Sequence, residues 1–130
     1  MLAKLLRDHP GSSFVAEVPS GTIVGYCVAS EEGDSAHLIS IGVLREYRRR
    51  RVGTALIQAL LENVSPKVRE LRLEVKQGNA EAIKLYKDLG FRQVNLIENY
   101  YEDGSPALKM RLTLHNDIHE GAESRRSETE

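Results

Sequence analysis

The chemistry of the chain changes abruptly at residue 45, and that change constrains the fold more than any other feature. Residues 36–44 carry Leu38, Ile39, Ile41, Val43 and Leu44, enough apolar bulk for both faces of a strand. Such a strand is expected in the middle of a sheet, buried on both sides. Five arginines follow at once, Arg45, Arg48, Arg49, Arg50 and Arg51, and then Gly53. Val52, Ala55, Leu56, Ala59 and Leu60 fall at i, i+3, i+4, i+7 and i+8, one continuous helical stripe, which Ser65-Pro66 stops. A helix N-terminus presents unpaired backbone N–H groups and about half a positive charge. Placed beyond a buried strand, it suits a pyrophosphate. Taken alone, the arginine run also reads as a solvated surface turn, or as a nuclear-localisation or RNA patch. The strand–turn–helix context favours phosphate.

The remaining punctuation gives an α/β domain with a mixed sheet. The chain has 130 residues, 41% of them hydrophobic, enough for the core of one domain. Residues 2–7 read as the last turns of a helix ended by His9-Pro10-Gly11. Residues 14–18 and 22–29 read as a hairpin about Pro19-Ser20-Gly21. Leu71, Leu73 and Val75 alternate with Arg72 and Glu74 as a strand. Asn79 is a good N-cap for a helix over 80–89, with Gly90 as its left-handed C-cap and Phe91 opening a strand. Leu108, Met110, Leu112 and Leu114 alternate into a last strand. Residues 1–115 are thus expected to form the domain, and 116–130 a disordered polar tail.

Composition excludes several classes. The net charge of −1 gives no global field toward nucleic acid or an anionic membrane. One cysteine, Cys27, permits no internal disulfide or cysteine metal cage and reads as a buried, inert thiol. There is no apolar run of membrane-spanning length, and the N-terminus is too polar for a signal peptide, so a cytoplasmic protein is expected. The four histidines are scattered and receive no role, and no metal cluster is visible.

Two further segments carry reactive side chains. Glu74 points away from the Leu71/Leu73/Val75 face and by itself reads as a surface carboxylate. Tyr86 lies on the apolar face of its helix with Ala82, Ile83 and Leu89 and by itself reads as a core tyrosine. Tyr100 and Tyr101 sit in a polar loop, where they could equally be hydrophobic plugs.

These residues together resemble a known family. Residues 43–56 resemble the acetyl-coenzyme A motif Q/R-x-x-G-x-G/A of the GNAT superfamily of N-acetyltransferases, with Arg48 as the leading Q/R and Gly53 as the second small residue. Arg51 stands where the first glycine normally sits. Residues 73–91 resemble the L-E-V-x-x-x-N-x-x-A-x-x-L-Y-x-x-L-G-F block of bacterial and archaeal protein N-terminal acetyltransferases, including the ribosomal-protein alanine type. Residues 99–110 resemble their Y-Y-x-D-G-x-x-A-x-x-M ending. The resemblance implies the GNAT fold, a mostly antiparallel sheet flanked by helices, with acetyl-CoA as acetyl donor and no metal. It implies cofactor contacts at Ile41, Gly42, Val43, Arg48, Arg49, Arg50, Arg51, Val52, Gly53, Thr54, Asn79 and Tyr86. It also implies Glu74 as general base, Tyr86 as general acid, a Val43 N–H for the oxyanion, and Tyr100 or Tyr101 against the acceptor.

The acceptor so implied is the α-amino group of a protein or peptide N-terminus. Family members carry a strand and two helices before the segment at Phe14, where this sequence has 13 residues. A shortened N-terminus, an open sheet edge, and a homodimer or partner subunit completing the acceptor slot are therefore expected. A lysine or small-amine acetyltransferase and a non-catalytic cofactor-binding subunit remain the alternatives.

Overall fold

The computed structural model describes residues 2–6 and 12–114. Its elements are β1 (Leu2–Leu6), β2 (Ser12–Glu17), β3 (Ile23–Glu32), β4 (Ser35–Val43), a 3-10 turn (Arg45–Tyr47), α1 (Val52–Asn63), β5 (Glu70–Lys76), α2 (Ala80–Asp88), β6 (Arg92–Ile97) and β7 (Ala107–Thr113). The seven strands form one sheet in the order β1-β2-β3-β4-β5-β7-β6. Every neighbouring pair is antiparallel except β4 and β5. A parallel pair needs a crossover, and α1 supplies it.

The core lies on one face of the sheet. Alternation sends Leu71, Leu73 and Val75 of β5 and Leu108 and Met110 of β7 to that face, in one buried cluster with Leu56, Ile57 and Leu60 of α1. Phe14 and Ala16 of β2, Val24 of β3 and Leu38 of β4 complete it. Helix α2 lies on the same side: a Cβ built on Gly53 of α1 would come within 3.1 Å of Leu85 Cδ2 in α2. This close helix approach is what the missing side chain at Gly53 permits. Cys27 is fully buried and its thiol pKa is pushed up to about 11 by burial, so it stays protonated and inert, as the sequence suggests.

The decisive irregularity is between β4 and β5. They pair at only three positions, Ser35↔Glu70, Ala36↔Leu71 and His37↔Arg72, although β4 runs on to Val43 and β5 to Lys76. The register of β3 against β4 shifts at the same place: Ala29 opposes Leu38 while Val28 opposes Ser40, leaving Ile39 without a partner. A bulge of this kind bends its strand. Beyond it, β4 stays on β3 and parts from β5.

Three expectations are corrected. Residues 2–6 form strand β1, antiparallel to β2 from Leu2↔Glu17 to Leu6↔Ser13, not a helix. Five residues are too few to hold a helix without tertiary support, whereas the edge of β2 offers a row of hydrogen-bonding groups. That edge is therefore not open. The strand at 36–44 is not buried on both faces: Ile39 is 56% and Leu44 49% exposed, because the bulge and the parting of β4 from β5 leave them uncovered. The predicted polar tail over 116–130 lies outside the described residues.

Leu56 is fully buried between α1 and the sheet. Leu56→Ala is expected to lower the unfolding free energy by about 2–5 kcal/mol, measured as a shift of the urea midpoint with an unchanged slope.

Candidate active site

A cleft of about 760 Å³ opens where β4 and β5 part, within the usual size of small-molecule and cofactor sites (about 300–1,000 Å³). Residues 38–43 of β4 form one wall and residues 73–76 of β5 the other, with the start of α1 and one side of α2 at the end. The hydrogen-bond pattern fixes which main-chain groups face it. Leu44 N–H donates to Val24 O at 2.9 Å, and Gly25 pairs with Val43 in the antiparallel register. Bonded and non-bonded pairs alternate along such a ladder, so Val43 and Ile41 turn their N–H and C=O away from β3 and toward the gap. Among the described residues, no strand pairs with them there. One of these groups is taken: Arg48 Nε donates to Val43 O at 3.1 Å.

At the end of the cleft the chain turns into α1. Ala55 N–H makes the first intrahelical bond, to Arg51 O at 3.0 Å, so Val52, Gly53 and Thr54 carry the N–H groups of the first turn. All three line the cleft. Arg49 and Arg51 have left-handed backbones, with φ of 64° and 65°. Arg51 therefore occupies a glycine-like conformation without being glycine, at a cost of about 1–2 kcal/mol. Arg49 Nε lies 3.4 Å from Glu81 Oε2, tying the turn to α2. Arg50 is turned elsewhere, with its guanidinium 5.1 Å from the centre of the Tyr47 ring.

The carboxylate of Glu74 sits on the β5 wall. Its side chain is only 14% exposed, and His37 Nε2 is 2.7 Å from Oε1. An ionised carboxylate can only accept, so the imidazole Nε2 carries the proton of this bond. Tyr86 reaches the cleft from α2 and is 5% exposed, with its ring edge-on to Phe91 at 5.6 Å. Burial, with a smaller contribution from Tyr101, pushes the Tyr86 phenol up to about 12. Tyr101 lines the cleft from the loop before β7; burial, then Tyr100 and Glu74, raise its pKa. Asn79 caps α2 as expected, its Oδ1 accepting from Ala82 N–H at 3.1 Å, and it too stands on the cleft wall.

The cleft thus gathers the residues singled out in the sequence except Arg50 and Tyr100; Tyr100 is 46% exposed and stacks edge-on against Tyr101 at 4.9 Å. Sequence reasoning missed His37. Its only signal was its alternation with Ala36 and Leu38, which puts it on the non-core face; that β5 would bring Glu74 beside it follows from the parallel pairing. Among the described residues, no group of three or more His, Cys, Asp or Glu side chains is placed to hold a metal, and no helix is long and apolar enough to cross a membrane.

The chain belongs to the acetyltransferase (GNAT) family, which residues 1–91 match. It is an acetyl-CoA-dependent N-acetyltransferase. An N-alpha-acetyltransferase of Sulfurisphaera tokodaii is 37% identical over 123 residues, 84% of this chain and 73% of that protein. Ard1 from Thermoplasma volcanium superposes with a TM-score of 0.77 at 35% identity, over 84% of this chain and 74% of that one. The ribosomal-protein-S18-alanine N-acetyltransferase from Escherichia coli gives a TM-score of 0.69 at 31% identity, over 85% and 69%.

Arg51→Gly removes the left-handed penalty at the head of α1 but adds the chain entropy of glycine, about 0.5–1 kcal/mol. The net expectation is a stabilisation of about 0.5–1 kcal/mol, read as a higher thermal midpoint.

Proposed function

We propose that this protein transfers the acetyl group of acetyl-CoA to the α-amino group of a protein or peptide N-terminus, by direct attack within a ternary complex. The observation that carries this reading is Glu74, nearly buried at the parting of β4 and β5 and held by His37 at 2.7 Å. The relatives named N-alpha-acetyltransferase support the choice of acceptor.

The residues present fit acetyl-CoA. The first-turn N–H groups of Val52, Gly53 and Thr54, with Arg48, Arg49 and Arg51 around them, would receive the diphosphate. The free main-chain edge at Ile41 and Val43 would receive the pantetheine arm, with Gly42 between them. When bound, acetyl-CoA supplies an activated thioester carbonyl. The chain's own groups do the rest. Glu74 accepts the proton of the incoming amine, directly or through a water, and the His37 bond keeps its carboxylate aimed. Val43 N–H, turned toward the gap, donates to the developing oxyanion. Tyr86 holds its proton and donates to the departing sulfur.

Acid–base chemistry supports this acceptor class. A nucleophilic amine must be neutral. The reference pKa is about 7.7–8.0 for an α-amino group and about 10.4 for lysine. A single carboxylate is sufficient base for the former, whereas a lysine acceptor is almost wholly protonated at neutral pH.

Peptides with a free N-terminus are expected to be acetylated there, while peptides blocked at the N-terminus but carrying lysine are not; mass spectrometry of the products reads the site. Transfer to lysine alone would overturn the reading. Glu74→Gln is expected to lower kcat by about 100-fold or more with cofactor affinity kept, and Tyr86→Phe to lower kcat more than cofactor affinity. The pH dependence has a definite sign. The neutral amine is the nucleophile, so kcat/KM rises as pH passes through the α-amino pKa. Tyr86, at about 12, keeps its proton throughout that range and imposes no fall on the alkaline side until pH approaches that value.

A further inference from the structure

The loop between β6 and β7 hangs on a single ionic contact. Its internal bonds are dense. Asp103 Oδ1 accepts from Ser105 N–H at 2.9 Å and Ser105 Oγ–H at 2.6 Å; Gly104 N–H donates to Tyr101 O at 2.8 Å, and Tyr101 N–H to Ser105 O at 3.2 Å. Two left-handed residues, Asn99 at φ 52° and Gly104 at φ 84°, shape its corners. Yet among the described residues, the only hydrogen bond or ion pair that residues 99–105 make outside themselves is Asp103 Oδ2 to Lys76 Nζ, at 3.2 Å. The same ammonium stands 5.3 Å from the centre of the Tyr101 ring.

Lys76 is the residue that joins this loop to the catalytic wall. It lies two residues beyond Glu74 on β5, and alternation puts both side chains on the same face. One cation therefore holds Asp103 and underlies Tyr101, the ring that flanks the cleft beside Glu74. We propose that Lys76 and Asp103 form an electrostatic clip that sets the position of Tyr101, so that they act as positioning residues for the acceptor peptide and leave acetyl-CoA binding untouched. The division follows from placement. The N–H groups and arginines for the diphosphate lie at the head of α1, which packs on the core face of the sheet, whereas alternation turns Lys76, with Glu74, to the other face of β5. Bonds from Ser105 and Lys76 hold the Asp103 pKa down to about 2, so its carboxylate stays ionised at every pH where the amine reacts. Both partners are more than half exposed, at 51% and 61%, so salt screens the contact.

The inference rests on the proposed function, and one set of measurements separates the two. Initial rates are taken with a free N-terminal peptide acceptor at saturating acetyl-CoA, for the wild type, Asp103→Asn, Lys76→Gln and Lys76→Arg. Asp103→Asn and Lys76→Gln are each expected to raise peptide KM by about fivefold, the scale of an exposed ion pair, with kcat within about twofold and acetyl-CoA affinity unchanged by calorimetry. Lys76→Arg, which keeps the cation, is expected to keep the wild-type KM. Raising salt is expected to raise the wild-type KM toward that of Asp103→Asn and to leave the variant flat. Hydrogen exchange at Tyr101 and Gly104 is expected to quicken in Asp103→Asn. An unchanged KM in Asp103→Asn, a KM raised in Lys76→Arg as far as in Lys76→Gln, or a parallel loss of acetyl-CoA affinity overturns the clip while leaving the acetyl transfer intact. A wild type that acetylates no N-terminal amine sinks the proposed function, and with it the clip as an acceptor determinant.

Discussion

The structure turns on a hydrogen-bond ladder that stops early. Strands β4 and β5 are joined for three residue pairs and then part, and the site is assembled in that gap. Continuous pairing would have consumed the main-chain groups of Ile41 and Val43 and closed the cleft. The bulge at Ile39 bends β4 while its antiparallel bonds to β3 hold the far side of the strand in place. The gap thus exposes backbone polar groups without orphaning them in an apolar interior, because it is open to solvent and ligand. Arg48, folding back on Val43 O, meets part of the same need.

Around that gap, two kinds of chemistry are kept apart. In the proposed function the diphosphate falls to the α1 end, with its first-turn N–H groups, arginines, and a left-handed Arg51 that accepts strain to shape the turn. The proton chemistry falls to Glu74 on the β5 wall, aimed by His37, and to Tyr86 on α2, kept protonated by burial. The core stays on one face of the sheet, and the side chains that alternate with it turn to the other. This is why a carboxylate can stand next to Leu73 and Val75 in sequence and still line the cleft.

Much of this was legible from local pattern. The stripe at Val52, Leu56 and Leu60, the Asn79 cap and the Gly90 turn at φ 105° are short-range features, and each behaves as its residue type dictates. The strand at the N-terminus was not legible. Five residues have no periodicity that separates a frayed helix from an edge strand, and β2 decides the matter by offering a partner. The exposure of Ile39 and Leu44 was likewise hidden, since an apolar run says that a strand can be buried on both faces and not that its neighbour will leave it.

By itself, the sequence determined the order of elements from β2 onward and singled out the basic turn, Glu74, Tyr86 and the Tyr100-Tyr101 pair, because periodicity, capping and motif spacing are written in consecutive residues. Tertiary structure alone decided that β4 and β5 part after His37, that His37 meets Glu74, and that Lys76 meets Asp103. Those contacts join residues 27 to 37 positions apart. No local propensity encodes such pairings: the first exists only once the crossover through α1 has laid β4 and β5 side by side, and the second only once β7 has paired with β5.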